Sequence, residues 1–377
     1  MRKTFMMTAA LAALVLCTAH PAYARTKLTT LPERGRTMIR MDNPIATLIQ
    51  EDRVLTLRKG ANRVDFAWKG VFVDADSIRL AVISPKSGVR LISVSYPPGE
   101  NALIWDVWAD APSEATVRIS YLLALIDRLA VYKGVLDADE ARMTLSEYAV
   151  VRNFSGEDFA SATVALPGRP AFTRSIGHEE TLQRLVMEKA ALPVVKVWTF
   201  DSANLPWDPE KEEANVGIPV SYRLENTQAA GLGLGPLDAG KVRVFQIDPK
   251  GSAMFLGEDE SGFVPVGKRM EVNVGQSRDV VVTQRKMKEE RVNIRRNSSG
   301  RVVLYDTDEI VTAKVENFKD RPAVLTLIQH IPGQWDMEAC NMEYVKKDSE
   351  TLEFSVKLAP RSKQELSMHY HRRNIRE

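Results

Sequence analysis

The chain has 377 residues, 44% hydrophobic and 27% charged, which is length enough for two or three domains with packed cores. Lys and Arg number 51 against 49 Asp and Glu, a formal charge of +2. Arg2 and Lys3 fall in the leader described next, and without them the two sets balance, so no global field steers the chain toward nucleic acid or an anionic membrane.

The first 24 residues read as a secretory signal peptide. Arg2 and Lys3 open it, Phe5 to Cys17 form an apolar run, and Ala22-Tyr23-Ala24 is a small-x-small cleavage site, with cleavage expected after Ala24. The run is too short to span a bilayer, and no later segment approaches the roughly 20 apolar residues of a membrane helix, so no transmembrane segment is expected. Cys17 follows Leu16, where lipid attachment needs a small residue, and reads as an apolar residue of the signal. Its removal leaves Cys340 without an intramolecular partner, so the mature chain is expected to fold without disulfides in an oxidising compartment, periplasmic or secreted.

Beyond Ala24 the dominant pattern is period two. Val117, Ile119 and Tyr121 alternate with polar residues, as do Ala162, Val164 and Leu166, and again Leu352, Phe354, Val356 and Leu358. Turn signals separate such runs at Lys59-Gly60, Asn153 to Gly156, Asp248 to Gly251, Asn297 to Gly300 and Pro332-Gly333. The expectation is an all-β chain of two or three linked antiparallel β-sandwich domains, immunoglobulin- or fibronectin-like, with no βα alternation to support a parallel sheet. The division expected is an N-terminal strand-rich domain over 25–112, a central sandwich region over 113–279 and a C-terminal sandwich over 280–377. Arg285 to Arg296, RKMKEERVNIRR, fits either a linker or a long exposed strand. His178 to Lys189 fits a helical face through Leu182, Leu185 and Val186, although strands flank it on both sides.

Several clusters carry reactive letters. Ile328 to Cys340, IQHIPGQWDMEAC, is expected to end one strand, break at Pro332-Gly333 and begin a return strand at Trp335; no basic neighbour or nucleophile elbow activates Cys340. His369 and His371 share one strand face opposite Leu366, Met368 and Tyr370, a weak half of a metal site that lacks a third ligand. Asp137 to Glu140 lacks the glycine and spacing of a calcium loop and suits a hairpin turn. Gly231 to Pro236, GLGLGP, has the wrong spacing for a phosphate loop and reads as flexible, with Leu232 and Leu234 as candidates for insertion into a partner or for packing back on the sandwich. Arg285, Lys286, Arg295 and Arg296 belong to the one basic cluster; acids interrupt it and no aromatic is interleaved, which argues against nucleic acid and leaves a charge-protected edge or docking to an acidic envelope polymer.

Four collinear stretches then carry a resemblance: Asn101 to Leu123, Met143 to Arg169, Leu237 to Asp259 and Ala313 to Glu338. Their order and spacing resemble the DUF4139 family of exported bacterial proteins, over most of the chain after Val54. The resemblance implies linked β-sandwiches, favours a strand in Thr181 to Glu188, and brings no catalytic residues and no cofactor. Relatives similar to the mucoidy inhibitor A group carry a coiled coil for which this chain has no heptads. Asp127-Arg128 stands where the family commonly has an aromatic, which implies local repacking. The function expected is a non-catalytic binding or scaffolding module for an envelope protein or cell-surface polymer. An envelope hydrolase with paired carboxylates and a self-assembling surface-layer component are the alternatives.

Overall fold

A computed structural model describes residues 31–376 apart from 44, 205–212, 216 and 249, with the backbone alone described at 213–215. The signal peptide expected at 1–24 lies outside the described residues. The structure is almost entirely β, in several mostly antiparallel sheets. The strands are β1 Arg36–Asn43, β2 Ala46–Leu57, β3 Gly60–Ala67, β4 Arg79–Ser84, β5 Val89–Ser95, β6 Ala102–Ala109, β7 Ser113–Leu123 and β8 Ile126–Leu136. They continue with β9 Arg142–Asn153, β10 Phe159–Ala165, β11 Phe172–Ile176, β12 Glu180–Pro193, β13 Val195–Asp201, β14 Glu213–Asn215, β15 Ile218–Glu225, β16 Gly240–Ile247 and β17 Ala253–Ser261. The last are β18 Arg269–Ser277, β19 Val280–Arg296, β20 Val302–Asn317, β21 Ala323–His330, β22 Gln334–Cys340, β23 Val345–Lys346, β24 Thr351–Leu358 and β25 Lys363–Arg376. No helix among the described residues is long and apolar enough to cross a membrane.

The chain separates into two compact units, whose described parts are 31–37 with 49–122, and 38–48 with 123–376. In the first, β3-β6-β5 form one sheet and β2, β7 and β4 are neighbours in another. Phe66 lies 5.5 Å from Trp105 and 5.8 Å from Tyr121, ring centre to ring centre, which joins the two sheets through one aromatic core.

In the second unit three larger sheets run β12-β9-β8-β16-β17, β18-β15-β13-β21-β24-β23 and β14-β19-β20-β25-β22, with β10 pairing both β1 and β11. The last two large sheets enclose a core of Trp198, Phe200, Leu325, Leu327, Phe354 and Met368 with their neighbours. The first packs Tyr132, Leu145 and Val242 against Tyr222, Leu224 and Met270 from β15 and β18. One face of β15 therefore serves two cores, Ile218 and Val220 in one, Tyr222 and Leu224 in the other. The expected division at 279/280 runs through a single sheet, because β13, β15 and β18 share theirs with β21 and β24.

Among the described residues β1 pairs in parallel with β10, β8 with β16, and β13 with β21, with no crossover helix described between them. Gly240 makes the second possible, since a Cβ there would collide with the Ala130 carbonyl. Of His178 to Lys189, the first two residues form a turn and the rest resolves as strand: β12 pairs with β9 from Glu180↔Asn153 to Pro193↔Arg142. Leu185 is left 45% exposed, so its side chain does not join the buried face that the helical reading required.

Candidate functional site

The glycine-rich loop after β15 is a braced wall. Asn226 is fully buried, donates from Nδ2 to the carbonyls of Gly235 and Val264, both at 3.1 Å, and accepts from the Gly233 amide at 2.9 Å. The Leu232 amide donates to the Thr227 carbonyl at 3.0 Å. Gly233 has φ +80°, and a Cβ there would sit 2.5 Å from the Gln228 nitrogen, so only glycine fits. The flexible loop read from sequence is thus corrected to a pinned one, and so is one of its leucines. Leu232 is 4% exposed and packs with Tyr222, Leu237 and Val264, whereas Leu234 is held outward at 81% exposure.

Between this loop, the turn at Gly168 to Pro170 and the β12 segment Val186 to Lys189 lies a cavity of about 300 Å³. Its apolar wall comes from Val186, Met187, Leu232, Leu234 and Leu237. Arg169 lines it and reaches inward to bond Glu147 through Nη2. Glu147 occupies an inward position of β9 between Leu145 and Ala149 and is 3% exposed; burial pushes its carboxyl above the ordinary value, against the opposing pull of Arg169. Arg128 pairs with Asp238 at 2.6 Å, and the Tyr132 hydroxyl donates to the Asp238 carbonyl at 2.8 Å. Burial raises the Tyr132 pKa, so this hydroxyl stays a neutral donor. Arg128 therefore anchors this polar layer and also donates to the Met41 carbonyl at 3.2 Å.

Around the cavity the polar groups are unevenly satisfied. The Nε of Arg169 is buried with no hydrogen-bond partner among the described residues. Glu188 accepts from Ser146 Oγ at 3.0 Å. Lys189, half-buried, makes no ion pair among the described residues.

The basic cluster is placed on a long exposed strand, one of the two forms expected. β19 is buried through Gln284 and mostly exposed from Arg285 to Arg296. Its antiparallel ladder with β20 continues to Arg296↔Val302, and β25 flanks β20 as far as Leu304↔Arg376. Arg285, Arg295 and Arg296 are exposed, with Arg296 donating to the Gly300 carbonyl at 3.0 Å. Lys286 is drawn inward instead, 2.7 Å from Glu289 and 3.3 Å from buried Glu309. It is thus an internal partner of Glu289 and Glu309.

His369 and His371 sit on the strand face opposite Leu366, Met368 and Tyr370, yet half-buried. His371 Nδ1 is 2.9 Å from Asp308, whose carboxylate raises the imidazole pKa. No group of three metal-ligating side chains occurs among the described residues. The turn at Pro332-Gly333 carries the chain between sheets: β21 pairs with β24, β22 with β25. His330 bonds Asp201 at 3.0 Å, while the Cys340 thiol donates to the Met342 carbonyl at 3.2 Å, so the two are held by separate partners. Asp137 to Glu140 forms the β8–β9 turn, with Asp137 accepting from the amides of Ala141 and Arg142.

No family model matches the chain, and no curated protein matches it either. The Glu147 and Arg169 layer was missed in the sequence, although a signal was present. Glu147 falls in the apolar phase of Leu145, Ala149 and Val151, and a charge in that phase is a buried charge.

Proposed function

We propose that the chain is an exported bacterial envelope protein, similar to the DUF4139 family, that acts as a non-catalytic module binding an anionic cell-surface polymer. The observation that carries this reading is the distal end of the three-stranded β19–β20–β25 ribbon. Arg291, Arg295, Arg296 and Arg301 on its hairpin and Arg376 on β25 are exposed, and residues 291–305 contain no acid. Arg291 lies 4.3 Å over the Tyr305 ring, which holds one guanidinium in place. The acid-free end of the strand, Arg291 to Arg296, is six residues long and at about 3.3 Å each extends roughly 20 Å. That end presents positive charges to a repeating polyanion, which a net-neutral protein otherwise would not attract.

The test is retention of the mature protein on immobilised polygalacturonate, with neutral dextran as control and salt varied. Retention on the polyanion that falls steeply with salt, and is lost in the Arg295→Glu/Arg296→Glu/Arg301→Glu variant, is the expected result. Equal retention on dextran, or unchanged binding by the variant, overturns the reading. Secretion is checked separately by N-terminal sequencing of the exported protein, which should begin at Arg25.

A further inference from the structure

We propose that the cavity walled by the braced loop at Gly231 to Gly235 binds a compact amphipathic carboxylate of about ten heavy atoms. The size follows from the volume: about 300 Å³, at the roughly 30 Å³ that a water-sized group occupies in a liquid. The class follows from the lining. One wall is aliphatic, from Val186, Met187, Leu232, Leu234 and Leu237, and the polar complement includes two cations, Arg169 and Lys189.

Only part of that positive charge is answered within the fold. Glu147 engages Arg169 through Nη2, and Nη1 has only a long 3.3 Å contact to the Gly168 carbonyl. Gly235 borders Nη1, where an added Cβ would come only into ordinary contact at 3.9 Å. Lys189 lines the cavity with no carboxylate on it among the described residues. A bound carboxylate answers both groups while its hydrocarbon covers the leucines, and Glu188, already bonded to Ser146, sets an acidic edge that disfavours a second negative charge. The wall is preformed, because Asn226 fixes the loop from beneath, so little ordering cost opposes binding.

Isothermal titration of the mature protein with octanoate, octanol and octylamine decides it. Octanoate is expected to bind saturably at one site, with octanol and octylamine weaker by about tenfold or more, the effect of one hydrogen bond to a charged group. Lys189→Glu should weaken octanoate by a similar factor without weakening octanol. Val186→Trp, which fills the cavity and leaves both cations in place, should abolish both. Thermal melting of each variant guards against misfolding. No saturable octanoate binding, equal affinity for octanol, or octanoate affinity unaffected by Val186→Trp overturns the proposal. The Arg295→Glu/Arg296→Glu/Arg301→Glu variant should bind octanoate as the wild type does, so the two readings fail independently.

Discussion

Glu309 shows what one residue out of phase does in a strand. Its neighbours Val311, Ala313 and Val315 are fully buried, and Glu309 is buried with them at 2% exposure. Thr307 and Arg372 donate to one oxygen at 2.9 and 3.0 Å, and Tyr370 and Lys286 approach the other at 3.0 and 3.3 Å. Burial works against the charge, but Thr307, Lys286 and Arg372 outweigh it and hold the carboxyl below its ordinary range. Replacing it with Gln leaves two cations facing an amide; Glu309→Gln should cost about 2–3 kcal/mol in urea denaturation, and a loss below 0.5 kcal/mol contradicts this account. His371 acts with the opposite dependence on pH. Asp308, by its hydrogen bond, raises the imidazole above 6.5, so the stabilisation is complete below pH 6.5 and disappears as pH rises through the folded-state value. The melting-temperature gap between wild type and His371→Gln should therefore be larger at pH 6 than at pH 9. A gap that does not change with pH removes the ion pair as its cause. The sequence shows both histidines and Glu309, but not which acids face them, since that depends on the β20–β25 register.

Element identity was legible wherever alternation was clean, and the strands through Val117 to Tyr121, Ala162 to Val164 and Leu352 to Leu358 bury the expected side chains. It was obscured where a strand is an edge. β12 faces solvent along most of its length, so its apolar residues lack the strict period of a half-buried strand and mimic a helical stripe. Its stability comes from the ladder to β9, whose partners lie from 27 residues away at Glu180↔Asn153 to 51 at Pro193↔Arg142, which no local pattern encodes. The β19 extension is similar: RKMKEERVNIRR has no apolar phase because beyond Gln284 it contributes no residue to the core. Its charges protect a sheet margin from pairing with other chains. The triple Arg-to-Glu variant used above should consequently keep its stability to within about 0.5 kcal/mol while losing the polyanion, which separates a surface role from a structural one. A large loss of stability in that variant assigns these arginines to the fold. For the glycine-rich loop, the spacing suggested mobility, yet one buried asparagine fixes it. A single Asn at 226 gives no sequence pattern by which its three bonds could be foreseen.

At the scale of the chain, the least legible feature was which distant strands share a sheet. Trp198 on β13 pairs in parallel with Leu325, and Ala130 on β8 with Gly240, contacts between segments that read as separate parts of the sequence. Alternation reports that a strand has an inner face and says nothing of its neighbour, so a charged stretch at 285–296 fitted a linker as well as a long exposed strand. The consequence is testable by ending the chain at residue 279. Such a chain keeps β13, β15 and β18 but loses β21 and β24 from the same sheet and the whole opposing β19–β20–β25 layer. Trp198, Phe200, Ile218 and Val220, all buried, would then face water. At about 1.5–3 kcal/mol for each large apolar side chain, the loss is comparable to the 5–15 kcal/mol by which whole domains are stable. The second unit of the truncated protein should lack fixed near-ultraviolet dichroism from Trp198 and bind a dye specific for exposed apolar surface. The first unit draws its aromatic core from Phe66, Trp105 and Tyr121 and should retain its own dichroism. Trp198→Phe in the full-length chain supplies the reference for assigning the lost signal. If residues 25–279 instead melt with the full-length cooperativity and bind no dye, then 280–377 is an independent domain and the shared sheet contributes little to the fold.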